Sequence, residues 1–386
     1  MGKSLKGKEL GKGITQRKDG LYQARFVNRF GKRETLYAKT YNEIQKKMCE
    51  KKYENEKEIN SITSNITLEE WFNIWINTCK KNCRNNSKEV YVKNYRRIKE
   101  ELGWRKLNQL NLIVLQKAFN NLNTDNERKN SKMTLVDMLD KAVDSNLIAK
   151  NVARQINTVI TKEVKKERRV LTRSETDIFL KTARTSRYYC LFVVALETGM
   201  RIGELSGLQW EDIDFKNRVI HVRHSMTYFQ NIETGKYCFE LHSTKTNNSL
   251  RDIPLTDKAI TALKEQYLNK QRIINKNRTP MVGYENLVFV SLKNTPIIQH
   301  TVAAAIDRIV EKINKENPDI NFERLTTHTF RHTFATRCLE ANIPLKTVSA
   351  LLGHAQLQLT TDLYMHVTTD SLFDGMKLYE KMSLVG

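Results

Sequence analysis

Glu197-Thr198-Gly199-Met200-Arg201-Ile202-Gly203-Glu204-Leu205 follows directly on an apolar run at residues 188–196. The run predicts a buried helix over 187–198. Gly199 ends it, because a residue without Cβ enters the left-handed region at no steric cost. Arg201 then stands at the mouth of the next helix, and Glu204, three residues on, shares its face and can orient the guanidinium. Such a pair is, by itself, a common structural device. Upstream, Thr172 with Glu175 opens another helix. Downstream, alternating patterns predict strands at 219–221, 237–241 and 251–255, followed by helices to the end of the chain. One of these helices carries His328-Thr329-Phe330-Arg331-His332, with Thr327 as its N-cap. On it His328 and Arg331 share one face, while Phe330, Phe334 and Leu339 face a core. Leu352-Gly353-His354 comes next, and Tyr364 lies ten residues past His354.

Further out, residues 1–60 read as a small α+β unit. Asp19-Gly20 signals a hairpin, Phe30-Gly31-Lys32 a second turn, and Thr40 with Glu43 a capped helix. This unit holds sixteen Lys/Arg against eight Asp/Glu. A three-stranded sheet bearing Arg25, Arg29, Lys32 and Arg33 fits a DNA major groove; the plainer alternative is a solvated sheet face. After a polar stretch at 61–65, residues 66–157 carry helical patterns. Thr67 with Glu70 caps the first helix and Ser87 the next, and further helices fall at about 112–121 and 132–145. Lys80, Lys81, Arg84, Lys88, Lys93, Arg96 and Arg97 form a basic side suited to phosphate contacts. Trp71 and Trp75, spaced i,i+4 on an apolar stripe, are expected in the core. Residues 161–169 are a charged connector without periodicity.

The whole chain has 386 residues, with 65 Lys/Arg against 43 Asp/Glu for a net charge of +22. Such a surplus points to a polyanionic partner, nucleic acid ahead of a membrane surface. No apolar run is long enough for a bilayer span, and the basic first twenty residues lack the apolar stretch of a secretory leader. A cytoplasmic protein with reduced cysteines is therefore expected.

In this order, Arg201, His328-x-x-Arg331, His354 and Tyr364 resemble the tyrosine recombinase family, most closely the integrases of phages and conjugative transposons. The likeness runs from about residue 168 to 380. The block Thr244-Lys245-Thr246 with Ser249, Arg251 and Ile253-Pro254-Leu255 is similar to the family's β-hairpin lysine segment, with Lys236 a neighbouring candidate. The resemblance implies that Arg201, Lys245, His328, Arg331 and His354 are catalytic, with Tyr364 as nucleophile and Glu204 in support. It also implies three parts. Residues 1–60 would bind arm-type DNA sites, 66–157 would be an all-α domain binding core-type sites, and 168–386 a mainly α catalytic domain with a small antiparallel β-sheet. The implied activity is integration and excision of a mobile element through a covalent 3′-phosphotyrosine. A homo-tetramer would exchange strands through a Holliday junction, with an excision or directionality factor as a further partner. No metal and no ATP are expected.

The residue types suit that chemistry. Two guanidiniums can fork onto the non-bridging oxygens of one phosphate and stay protonated. A tyrosine is a weak nucleophile at neutral pH and needs a base, a role open to His328. Lys245 suits protonation of the leaving 5′-oxygen. Three other readings compete: a non-catalytic DNA-binding regulator, a type IB topoisomerase-like enzyme, and a metal site. The last would draw on Cys79/Cys83, His221/His224 or His328/His332, none of which completes a ligand set.

Overall fold

The computed structural model describes residues 2–27, 33–56, 65–158, 169–232, 234–243 and 250–353. The chain divides into two compact units, residues 1–164 and 165–386.

The first unit begins with strands β1 (Ile14–Gln16), β2 (Tyr22–Val27) and β3 (Arg33–Ala38), antiparallel in that order, and helix α1 (Tyr41–Glu56). Gly20, at φ 85°, makes the first turn. Alternation sets the faces: Ile14, Ala24 and Ala38 are buried with Ile44 and Met48 of α1. Arg25, Val27, Arg33 and Tyr37 are exposed. Glu43 donates its backbone N–H to Thr40 Oγ1 at 3.3 Å, while its carboxylate turns to Lys47 at 3.0 Å, so only half of the expected capping box forms. The turn expected at residues 30–32 lies outside the described residues.

The helical part comprises α2 (Leu68–Thr78), α3 (Asn85–Leu102), α4 (Leu112–Asn120) and α5 (Asp125–Asp144). Thr67 and Glu70 close the capping box at α2. Trp71 and Trp75 are buried, Phe72 stacks on Tyr95 with centroids 3.9 Å apart, and Trp71 Nε1 donates to Met138 O at 2.9 Å. Two boundaries differ from expectation. Helix α3 starts at Asn85 after Arg84, so Ser87 lies within its first turn and caps nothing. Helix α5 starts seven residues before the expected 132, with Thr124 as its N-cap. The polar run 125–131 has loop composition, but Arg128 buries its guanidinium against Asp125 and the Leu122 carbonyl, which holds that run helical.

The second unit holds α6 (Arg173–Ala183), α7 (Tyr189–Thr198), α8 (Ile202–Ser206), α9 (Asp257–Ile274), α10 (Gln299–Glu316), α11 (Thr327–Glu340) and α12 (Leu345–Leu352). Its strands are β4 (Ile213–Asp214), β5 (Val219–Val222), β6 (His224–Gln230), β7 (Tyr237–Ser243) and β8 (Arg251–Pro254). They form two small antiparallel sheets, β4-β5-β8 and the hairpin β6-β7, where a single sheet was expected. Strand β6 was not foreseen; only Met226 and Phe229 on it are buried, three residues apart, so it lacks the period-2 signal. Phe179, Phe192 and Phe330 pack with centroids 5.4–5.6 Å apart and seat α11 on α6 and α7. The expected architecture is present: an N-terminal three-stranded sheet with a helix, an all-α part, and a mainly α C-terminal part with small sheets. No helix among the described residues is long and apolar enough to cross a membrane.

Candidate active site

Three helix ends build the site. Helix α7 stops at Gly199, at φ 62°; after a two-residue step, Arg201 becomes the N-cap residue of α8. Helix α11 begins after Thr326, which closes a capping box with Thr329, so Thr327 is the first helical residue rather than the cap. Helix α12 ends in Gly353, at φ 64°. A helix C-terminus leaves its last carbonyls without partners and carries partial negative charge, so cations gather there.

They do so here. Arg331 Nη1 donates to Gly199 O at 2.8 Å and Nη2 to Leu352 O at 2.5 Å. Arg201 Nη1 and Nη2 reach Leu352 O and Gly353 O at 3.5 and 3.4 Å. Arg251 Nε donates to Leu351 O at 2.6 Å. Glu204, 3% exposed, stands among them. Its Oε1 accepts from Arg201 Nη1 at 2.9 Å and Arg251 Nη1 at 3.1 Å; its Oε2 accepts from Arg201 N at 2.8 Å and Arg251 Nη2 at 2.7 Å. Arg201, Arg251, Arg331 and Glu204 thus meet in one place, with His328 near enough to feel the charges of Arg331 and Arg201, although 130 residues separate Arg201 from Arg331.

The charges respond to this crowding. Burial opposes the charge of Glu204, yet the hydrogen bonds and charge of Arg251, then those of Arg201, hold its carboxyl below the usual range. Burial first, and the Arg201 charge next, pull Arg331 down to about 9, so it remains a cation at neutral pH. Burial, then the charges of Arg331 and Arg201, lower His328 from its ordinary value. Its imidazole is therefore neutral at pH 7 and can accept a proton. Three guanidiniums around one carboxylate leave a surplus of positive charge. The Arg201 side chain, 38% exposed, opens it to solvent. That combination suits a phosphate.

Lys245, His354 and Tyr364 lie outside the described residues, as do Arg29 and Lys32. Arg25 and Arg33 sit on the helix-free face of the N-terminal sheet, their strands paired Arg25↔Thr35 and Val27↔Arg33. Lys81, Lys93 and Arg96 are exposed, and Arg84 is half-buried before α3. Lys80 departs from the expected phosphate-facing set. Its Nζ lies 2.6 Å from Asp137 and 5.1 Å from both the Trp75 and Tyr91 rings, with 16% of the side chain exposed, so its charge is met inside the unit. Arg97 is likewise engaged, by Glu127 at 3.4 Å and Asn94 at 2.7 Å. His221 and His224 pair with Asp252 and Asp212, and among the described residues no three His, Cys, Asp or Glu gather as a metal cage.

Arg251 was not singled out as a site residue. The signal was present: alternation along β8 puts Arg251 on the same face as the buried Ile253, and a cation there requires a buried acceptor.

Residues 169–371 match the phage integrase family, and residues 67–123 match the phage integrase N-terminal SAM-like domain. The chain belongs to the phage integrase family. Among the chain's relatives, the transposase from transposon Tn916 of Enterococcus faecalis is 32% identical over 204 residues, covering 53% of this chain and 48% of the relative. The XerC-like tyrosine recombinase of Caldanaerobacter subterraneus subsp. tengcongensis is 32% identical over 288 residues, covering 72% and 71%. The chain thus spans about half the length of the Tn916 and Tn1545 transposases it matches. The Tn1549 transposon integrase, solved in complex with transposon right end DNA, superposes with a TM-score of 0.68 at 25% identity, covering 81% of this chain and 99% of that one. A lambda integrase tetramer bound to a Holliday junction shares the fold at 18% identity and a TM-score of 0.55, covering 92% and 95%.

Proposed function

We propose that this integrase is a site-specific DNA strand transferase that integrates and excises a mobile element through a covalent 3′-phosphotyrosine. The observation that carries the reading is the convergence of Arg201 and Arg331 on the C-terminus of α12, beside a neutral His328.

The two guanidiniums hold the non-bridging oxygens of the scissile phosphate and stabilise the charge that builds on them, with His354 as a further donor. The Tyr364 phenol oxygen attacks phosphorus while its proton passes to His328. The bond from phosphorus to the 5′-oxygen breaks, and Lys245 protonates that oxygen as it leaves. Rejoining runs the same steps backward: a 5′-hydroxyl gives its proton to Lys245 and attacks the phosphotyrosine, and His328 returns a proton to the phenolate. The ester's energy is retained in the covalent intermediate, so no ATP is consumed, and arginine supplies the charge compensation that a metal gives elsewhere.

The domain assignment belongs to the same proposal. Residues 1–60 engage arm-type sites through the outer face of the sheet, where Arg25 and Arg33 lie. Residues 66–157 engage core-type sites through exposed Lys81, Lys93 and Arg96. Residues 168–386 perform the chemistry. Double-stranded DNA is the substrate, the working assembly is a homo-tetramer on DNA passing through a Holliday junction, and an excision factor sets direction. The Tn1549 integrase complex and the lambda integrase tetramer support this in kind. A basic chain without a membrane-spanning helix among its described residues fits work on DNA in the bacterial cytoplasm.

The test is a nicked duplex carrying the junction of the excised element, so that the leaving strand diffuses away after cleavage. The wild-type protein is expected to form an adduct that survives denaturing electrophoresis, and Tyr364→Phe to bind the duplex without forming it. An adduct with the phenylalanine variant would remove Tyr364 from its role.

A further inference from the structure

Arg251 is an arginine that a β-strand should not bury. Its side chain is only 6% exposed, and the cost of taking a guanidinium out of water is recovered only if its donors find acceptors. They find three. Nη1 and Nη2 fork onto the two oxygens of Glu204 at 3.1 and 2.7 Å, and Nε holds Leu351 O at 2.6 Å. One planar group therefore ties β8 to α8 and to the end of α12.

Resting on the strand-transfer reading above, we infer that Arg251 is a positioning residue for the scissile phosphate, acting through Glu204 on Arg201. The fork fixes the plane and rotation of the Glu204 carboxylate. Arg201 hangs from those same two oxygens, by its backbone N–H at 2.8 Å and by Nη1 at 2.9 Å. Its other terminal nitrogen meets the end of α12 only at 3.4 Å, a long contact that a phosphate oxygen can replace. Without the fork, the Glu204 carboxylate, 4% exposed, keeps Arg201 as its main counter-charge and draws the guanidinium inward, off the phosphate. Lysine cannot substitute, because one ammonium on a flexible stem does not span two carboxylate oxygens and a carbonyl at fixed angles. Arg251 also lies six residues past Lys245 in the chain, so the same tie fixes the strand that follows that lysine's segment.

The experiment uses the full-length protein, Arg251→Lys, and two nicked duplexes. One has the ordinary scissile phosphate. The other has a methylphosphonate there, which removes the charge of one non-bridging oxygen and with it much of the need for an aligned arginine. Arg251→Lys is expected to bind both duplexes as tightly as wild type. Adduct formation should slow by about 10–100-fold on the phosphate, as for other groups that orient a reacting residue, with a clearly smaller gap on the methylphosphonate. A wild-type rate, an equal loss on both linkages, or a loss explained by weaker binding would each overturn the inference. If wild type itself forms no adduct with either duplex, the strand-transfer reading fails instead. Should Arg251→Lys melt below the assay temperature, Glu204→Gln carries the test: it keeps the shape of the carboxylate and removes its charge. The same linkage-dependent gap is expected from it, and a linkage-independent loss overturns the inference.

Discussion

At the scale of single residues, the centre sets like charges side by side. Arg331 is 5% exposed and places its two terminal nitrogens on the carbonyls of Gly199 and Leu352, with Arg201 close enough to oppose its charge. The same two guanidiniums depress His328 below its ordinary 6.5, after burial. Adduct formation should therefore rise with pH only in the acid range and be level around neutrality, as single-turnover rates across that range will read. An acid limb at or above the ordinary histidine value would count against His328 as the base. The shift also bears on stability. Between the folded and unfolded pKa values the unfolded chain binds the proton more readily, so stability falls as pH drops through that window. His328→Asn should flatten the fall in a denaturation series against pH. Of this centre, Arg201, Glu204, His328 and Arg331 were legible from motif spacing. Alternation along β8 marked Arg251 as inward-facing, but its partner was not legible, because that carboxylate lies 47 residues upstream in the chain.

At the scale of elements, helix ends organise the site, and glycine makes two of them possible. Gly199 sits in the left-handed region, and a Cβ added there would press into the Phe334 ring and lie 3.0 Å from Leu352 Cδ2. Its carbonyl is also an anchor of Arg331. Gly199→Ala should cost about 1–3 kcal/mol in chemical denaturation, and it should slow adduct formation, since α7 and α12 must part around the new methyl. Element reading worked where a side chain satisfies local backbone, as at Thr67 and Thr172, and where a glycine takes the left-handed turn, as at Gly199. It failed at α5, where Arg128 buries its guanidinium against Asp125 and the Leu122 carbonyl and so holds a polar run helical, and at β6, whose pairing with β7 sets its extent.

At the scale of the whole molecule, the surplus of 65 cationic over 43 anionic side chains is distributed with purpose. Some of it is internal: Lys80 ties the end of α2 to Asp137 of α5, and Arg128 pairs with Asp125 within the first turn of α5. Among the described residues Arg25, Arg33, Lys81, Lys93 and Arg96 are exposed. Arg25 and Arg33, on the open face of the N-terminal sheet, are proposed contacts to arm-type sites. Replacing both with alanine should weaken binding to arm-site duplex and lower the slope of log K against log salt by about 1.8, the value for two lost phosphate contacts. An unchanged slope in a salt titration would place that face off the DNA. The sequence by itself determined the three-part layout, the apolar faces and the caps at Thr67 and Thr172. These follow from periodicity and from side chains bonding their own backbone, both local in the chain. Only the tertiary structure decided which cations are exposed and which are internal ties, and that Arg251 joins Glu204 to the end of α12. A charge has the same letter wherever it sits, and its partner is chosen by how distant segments pack.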